Sequence, residues 1–186
     1  LWDAVRFMGD TREGKPGQFI LTGSAVPKDD AILHTGTGRI SRLLMRPMSL
    51  FESLESNGSV SLKELFDETS EVESTPELSI EGIAHAICRG GWPALMGQEE
   101  SVALDYAPDY VDSIINADIS RVDGIEKNPM RVRALLRAYA RNIATMATLR
   151  TIRDDIALGN AGTSISEKTI SQYLGALDRI FVTEKL

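Results

Sequence analysis

Asn128-Pro129-Met130-Arg131-Val132-Arg133-Ala134-Leu135-Leu136-Arg137-Ala138-Tyr139 opens the stretch that decides the fold. Asparagine is a good helix N-cap, and proline suits the first helical position, where its missing N–H costs nothing. Val132, Leu135, Leu136, Tyr139, Ile143 and Met146 then recur at offsets 0, 3, 4, 7, 11 and 14, which is one face of a helix. A second helix is expected over about Leu149 to Leu158, stopped by the turn residues Gly159-Asn160-Ala161-Gly162. Ser164 and Glu167 have capping-box spacing for a third helix, with Ile170, Tyr173, Leu174, Leu177, Ile180 and Phe181 along its apolar side. Helix, helix, turn, helix is the layout of a helix-turn-helix. Residues 128–186 are therefore expected to be a winged-helix-like module that stops before the wing.

Upstream, Ser79 caps a predicted helix to about Arg89 with Ile80, Ile83, Ala84 and Ile87 on one face, and Gly90-Gly91-Trp92-Pro93-Ala94 breaks it. A long helix follows over about Gln98 to Asp118, with Val102, Tyr106, Tyr110, Val111, Ile114 and Ile115 expected inward and Pro108 as a kink. Ser49 with Glu52, and Ser61 with Glu64, mark two short capped helices on either side of an Asn57-Gly58 turn. From Phe66 to Leu78 the chain is acidic, with Ser, Thr and Pro76, and reads as a surface linker. Gln18 to Ser24 and Ile40 to Met45 are short apolar runs of the kind that form buried strands, and Leu1, Trp2, Val5 and Met8 fit one side of a short helix. The expected fold class is mainly α with a small β component. Its predicted domains are a remnant of an α/β core at 1–65, an acidic and helical connection at 66–127, and the α-helical winged-helix-like module at 128–186.

Charge divides the chain near the same place. Residues 1–127 carry a net charge of -11 and residues 128–186 a net of +4, although the whole chain is at -7. Asn128 to Arg153 holds six arginines and no acid, and Arg133, Arg137 and Arg141 share a helix face. Such a face serves one of three ends: docking on acidic protein surface or solvent, a nucleic acid, or the phosphates of a nucleotide in a neighbouring core. A single Cys88 excludes an intramolecular disulfide, and two histidines, His34 and His85, give no Cys/His metal spacing. No apolar run reaches the roughly 20 residues that a membrane-spanning helix requires, and the first residues lack the form of a signal peptide. A cytoplasmic protein without a membrane partner is the expectation. Leu1 is not an initiator Met and Leu186 is not preceded by a helix-ending residue, so the chain reads as a fragment. Uncovered strand edges would then favour self-association.

A self-contained catalytic site is not evident. The loop Gly-x-x-x-x-Gly-Lys-Ser/Thr is absent, and Thr35-Gly36-Thr37-Gly38-Arg39 lacks its lysine and spacing, which makes it a flexible turn. The Gly-x-Ser-x-Gly elbow is also absent. His85 reads as a structural or surface residue. Glu99-Glu100 and Asp154-Asp155 are adjacent on helices and point apart, which is unsuited to a shared-proton dyad.

Phe19-Ile20-Leu21-Thr22-Gly23-Ser24, then Gly38-Arg39-Ile40, Arg46-Pro47-Met48-Ser49-Leu50-Phe51-Glu52, Gly90-Gly91-Trp92-Pro93-Ala94 and Glu167-Lys168-Thr169-Ile170 with Tyr173-Leu174 follow one another in an informative order. In that order and approximate spacing, over nearly the whole chain, the sequence resembles the prokaryotic family of AAA-like P-loop ATPases with a C-terminal winged-helix-containing domain of unknown function. The resemblance implies ATP and magnesium as ligands of a full-length parent. The chain departs from the family pattern in lacking both Walker A and Walker B, so the 186 residues alone are expected not to hydrolyse ATP.

By position, Thr22 and Ser24 resemble the sensor-1 segment, whose small polar side chain meets the terminal phosphate; a hydrogen-bonded strand-end turn is the other reading. Arg39 resembles the arginine of the family's Gly-Arg pair, either at a phosphate or neighbouring subunit, like an arginine finger, or in a structural ion pair. If the helix-turn-helix reads DNA, then Lys168, Thr169 and Gln172 near the start of the third helix, with Arg133, Arg137 and Arg141, are its contact residues. Glu167 opposes phosphate unless it serves as a cap. The leading expectation is an ATP-driven switch protein, with a DNA-binding regulator-like module or a protein-interaction domain as the alternatives.

Overall fold

The computed structural model describes residues 2–12, 15, 17–24, 40–67, 78–159 and 164–184. Its elements are α1 (Trp2–Thr11), α2 (Leu62–Phe66), α3 (Ile80–Arg89), a 3-10 turn (Pro93–Leu95), α4 (Glu100–Ser113), a π turn (Ile114–Asp118), α5 (Ile119–Arg121), α6 (Pro129–Arg141), α7 (Leu149–Gly159) and α8 (Glu167–Arg179). The mainly α class is therefore observed, and no strand occurs among the described residues. Both β candidates are corrected. Residues 18–23 and 40–45 are irregular, and Ile20, Leu43 and Met45 are about nine-tenths exposed. A short apolar run becomes a strand when a neighbour accepts its backbone hydrogen bonds and one face is buried, and neither condition holds here.

The chain divides into two compact units, one of residues 1–42 with 113–186 and one of residues 43–112. In the first, here the helical unit, α6 packs on α7, α7 on α8, α8 on α5, and the π turn on α6. The anticipated three helices thus enclose a core together with a fourth segment, the π turn and α5. Ile114, Ile115, Ile119, Val132, Leu135, Ile156, Ile170 and Leu177 are almost completely buried. Each large aliphatic side chain so buried contributes roughly 1.5–3 kcal/mol of transfer free energy.

Local chemistry sets the helix ends. The Asn128 Oδ1 accepts from the Arg131 N–H at 3.1 Å with Pro129 at the first position, as the sequence foretells. At the other end, Asn142 donates from Nδ2 to the Ala138 carbonyl at 2.8 Å, and Ala144 takes a left-handed conformation. That early stop leaves Ile143 and Met146 beyond α6 and exposed, so they leave the expected apolar face. Phe181, just past the end of α8, is also substantially exposed.

The cap of α8 is Ser166 instead of Ser164, and its Oγ accepts from the Thr169 N–H at 3.1 Å. Ile165 and Ile170 are both buried at the two staple positions that flank such a cap. Burying Ile165 selects the later serine. The turn predicted at residues 159–162 lies, beyond Gly159, outside the described residues.

In the second, central unit, Ser79 caps α3 by accepting from the Gly82 N–H at 3.1 Å, and Ser61 caps α2. The apolar face predicted for α3 is outermost: Ile80 and Ile87 are about four-fifths exposed, Ile83 and Ala84 are exposed, and the lone Cys88 lies beside them. The side turned inward carries His85, Ala86 and the buried Arg89. Periodicity specifies which residues share a face, whereas the Glu55–Arg89 ion pair described below accompanies the face that turns inward. On α4, Val102 and Tyr106 are more exposed than expected and Ala103 is buried in their stead. Pro108 is accommodated within α4, which runs on into the π turn at Ile114.

Candidate functional site

Two of the motifs that carry the family resemblance meet in the central unit. Ser49 and Glu52 form a reciprocal capping box, with the Ser49 N–H donating to Glu52 Oε2 at 2.8 Å and the Glu52 N–H to Ser49 Oγ at 3.3 Å. The helix expected there is only a turn. Leu54 adopts φ 62°, a left-handed conformation that costs a non-glycine residue energy. The Glu55 N–H then closes back on the Leu50 carbonyl at 2.8 Å, ending the turn. The reversal brings the Glu55 carboxylate to Arg89 of α3, 34 residues away.

Arg89 donates from Nη1 and Nη2 to the two Glu55 oxygens at 2.8 and 2.6 Å, and from Nε to the Gly90 carbonyl at 3.2 Å. The Ser53 hydroxyl donates to Glu55 Oε2 at 2.6 Å. Arg89's hydrogen bonds, reinforced by Ser53, push the Glu55 carboxyl down to about 2. A planar guanidinium fork matched to a carboxylate fixes orientation as well as position.

At Gly91, two backbone segments come close together. The Met48 N–H donates to the Gly91 carbonyl at 2.8 Å, and a Cβ at Gly91 would collide with the Met48 carbonyl oxygen. Gly90 has φ 75°, so it ends α3 where a side chain would be strained. Trp92 then packs edge-on to Tyr110 at 4.7 Å and tilted to Tyr106 at 5.4 Å between ring centres. His85 Nδ1 lies 3.6 Å from Glu100 Oε1 and is buried without a hydrogen-bond partner. The junction is a clasp of backbone, ion pair and aromatic rings. Its two hydroxyl–carboxylate contacts, Ser53 to Glu55 and Ser49 to Glu52, are taken up by the ion pair and the capping box, and no three metal-ligating side chains cluster among the described residues.

Thr22 and Ser24 are exposed in an irregular segment, and Arg39 and the 35–39 turn lie outside the described residues.

The residues expected at nucleic acid occupy α6 and α8 of the helical unit. Arg133 is half-buried and Arg137 exposed, whereas Arg141 grips Asp155 of α7 from Nε and Nη2 at 3.0–3.2 Å. Arg153 is held by Asp154 and by Glu167 of α8, both at 2.8 Å. Arg150 lies 3.9 Å from Asp154. The acids that follow the arginine-rich stretch are thus drawn back onto it. On α8, Lys168 and Gln172 are exposed, and Thr169 is tied by its N–H and hydroxyl to Ser166.

The Glu55–Arg89 pair, the Met48–Gly91 contact and a buried Lys127–Asp123 pair were not read from the sequence. Adjacent glycines at 90 and 91 hinted at the second, and the i,i+4 spacing of Asp123 and Lys127 at the third; nothing local links Glu55 to Arg89.

These features define an α-helical protein with a clasped junction and a helical bundle, in which no described helix is long and apolar enough to cross a membrane. Residues 80–186, over half of the chain, match the family described as a domain of unknown function, DUF8612, and the chain belongs to that family. Comparison with curated proteins and with solved structures gave no match.

Proposed function

We propose that this chain is the helical arm of an ATP-driven switch, in which the nucleotide is held by phosphate-binding elements that these 186 residues do not contain. The observation that carries the reading is the clasp itself. Arg46-Pro47-Met48-Ser49-Leu50-Phe51-Glu52 and Gly90-Gly91-Trp92-Pro93-Ala94, two motifs of the AAA-like resemblance, are joined backbone to backbone at Met48 and Gly91. A switch needs an element that transmits movement without deforming, and a bidentate ion pair beside a side-chain-free glycine contact has that property. Arg141 and Arg153, bound to acids of their own unit, argue for a protein-coupling role over duplex DNA, which requires cations that meet phosphate.

The test uses the protein as encoded, with whatever flanks these residues. Hydrogen exchange of the peptides covering 46–56 and 89–92 is measured with and without magnesium ATP, alongside ATP turnover. Nucleotide-dependent protection at the clasp is expected. A protein that binds no ATP, or binds it with unchanged exchange there, ends the proposal.

A further inference from the structure

The helical unit contains an open cavity of about 290 Å³ between the chain leading into α6 and one side of α8, lined by Asp123, Ile125, Lys127, Gln172, Tyr173, Gly175, Ala176 and Arg179. Its floor is unusual for a surface depression. The Lys127 side chain is only 3% exposed, and its ammonium donates to Asp123 Oδ1 at 2.7 Å and to the Ile125 carbonyl at 3.2 Å. An ammonium has three N–H donors, so these two acceptors leave one for a further group. The Lys127 N–H is itself held by the Ser120 hydroxyl at 3.1 Å, and Tyr173 OH accepts from the Asn128 N–H at 3.2 Å, which together fix the floor.

The wall on α8 has the opposite character. Gly175 lies within the helix, where glycine costs roughly 0.5–1 kcal/mol relative to alanine, and a Cβ there would meet nothing within 4 Å. The side chain is missing where this chain has nothing that requires its absence. Ile125, in the same lining, is 62% exposed. The lining is predominantly apolar, and its ionisable groups, Asp123, Lys127 and Arg179, sum to one positive charge.

We propose that this cavity binds a small monocarboxylate with a compact apolar body. The apolar part lies against Gly175, Ala176, Tyr173 and Ile125, and the carboxylate takes the remaining Lys127 donor. Asp123 holds the ammonium in place and balances its charge while the site is empty, so that burial of Lys127 does not leave an isolated ion. A site of this size accommodates an aryl or branched-alkyl acid, near the lower limit of small-molecule pockets. This inference does not depend on the ATP reading.

Three probes of one shape and different charge test it: phenylacetate, phenylacetamide and phenethylamine, titrated into the ¹⁵N-labelled chain. Phenylacetate is expected to shift the amides of Ile125, Gln172 and Gly175 saturably, at least tenfold more tightly than phenethylamine, with phenylacetamide between. Gly175→Leu fills the cavity from a helical position with open space around it, and is expected to abolish those shifts while the rest of the spectrum keeps its dispersion. Lys127→Met is expected to erase the preference for the acid. Because that variant removes a buried charge and can unfold, Gly175→Leu provides the independent test. No saturable shift, equal binding of the acid and the amine, or undiminished binding by Gly175→Leu overturns the proposal.

Discussion

In residues 113–186 the buried side chains are mostly apolar, Ile114, Ile115, Ile119, Val132, Leu135, Ile156, Ile170 and Leu177 among them, with Lys127 as a buried charge beside them; in residues 43–112 they are Arg89, Leu95 and Ala103, while Ile80, Ile87, Leu62 and Phe66 stand in solvent. The helical unit is held by apolar burial, and the central unit by a bidentate ion pair, one close backbone contact and three aromatic rings. The first kind of interior is non-directional and tolerates exchange among residues of similar volume. The second depends on angle and distance. A unit held by a few directional contacts is suited to keeping one geometry or releasing it as a whole.

The largest expected effect breaks the apolar half of this contrast. Leu135→Ala removes a fully buried side chain and is expected to destabilise the helical unit by about 2–5 kcal/mol in urea denaturation followed by hydrogen exchange of α6–α8. A loss below 1 kcal/mol would mean that this core is not close-packed.

Next come the two arms of the clasp. Gly91→Ala forces a methyl into the Met48 backbone and is expected to cost about 1–3 kcal/mol, read as faster exchange at Met48. Arg89→Met leaves the Glu55 carboxylate without its partner, with an expected cost also of about 1–3 kcal/mol. The pH dependence distinguishes the ion pair from simple packing. Glu55 is depressed in the folded chain from 4.5 to about 2, so its stabilisation is complete above 4.5 and is lost as pH falls from there toward 2. Glu55→Gln should lack this loss, which exchange at residues 48–56 between pH 5 and 2.5 would reveal. Parallel profiles for variant and parent would remove the pair from the account.

A smaller effect concerns the helix cap. Ser166→Ala should cost about 1 kcal/mol and Ser164→Ala close to nothing, measured by the thermal midpoint of the helical signal. The smallest is Ile80→Ala, expected within about 0.5 kcal/mol because that side chain is already in water. A loss comparable to that of Leu135→Ala would erase the distinction between the units.

The sequence made the helical unit legible because its signals are local. Asn128 with Pro129, and apolar residues three and four apart, act within one helix, and they locate α6, α7 and α8 closely. Ser164 and Ser166 show the limit of local reading: both precede an acidic helix start, and burial of Ile165, a tertiary event, decides between them. The central unit was less legible. Its helices were found, but the inward side of α3 carries a guanidinium that meets a carboxylate 34 residues earlier. Nor does an apolar run such as Gln18 to Ser24 announce whether a neighbouring strand will pair with it. The candidate site was visible as two motifs in sequence, and their meeting at Met48 and Gly91 became visible only in three dimensions.

The single cysteine, Cys88, stands exposed on α3 among the isoleucines that face solvent. It therefore supplies a built-in reporter: one maleimide dye or spin label attaches at one place, with no engineering, on the apolar side of the central unit. It also makes the oxidation state of the buffer a variable in any sizing experiment. Air alone can join two chains through Cys88, and a dimer that vanishes with reductant is that disulfide, whereas one that persists is held by the surface itself.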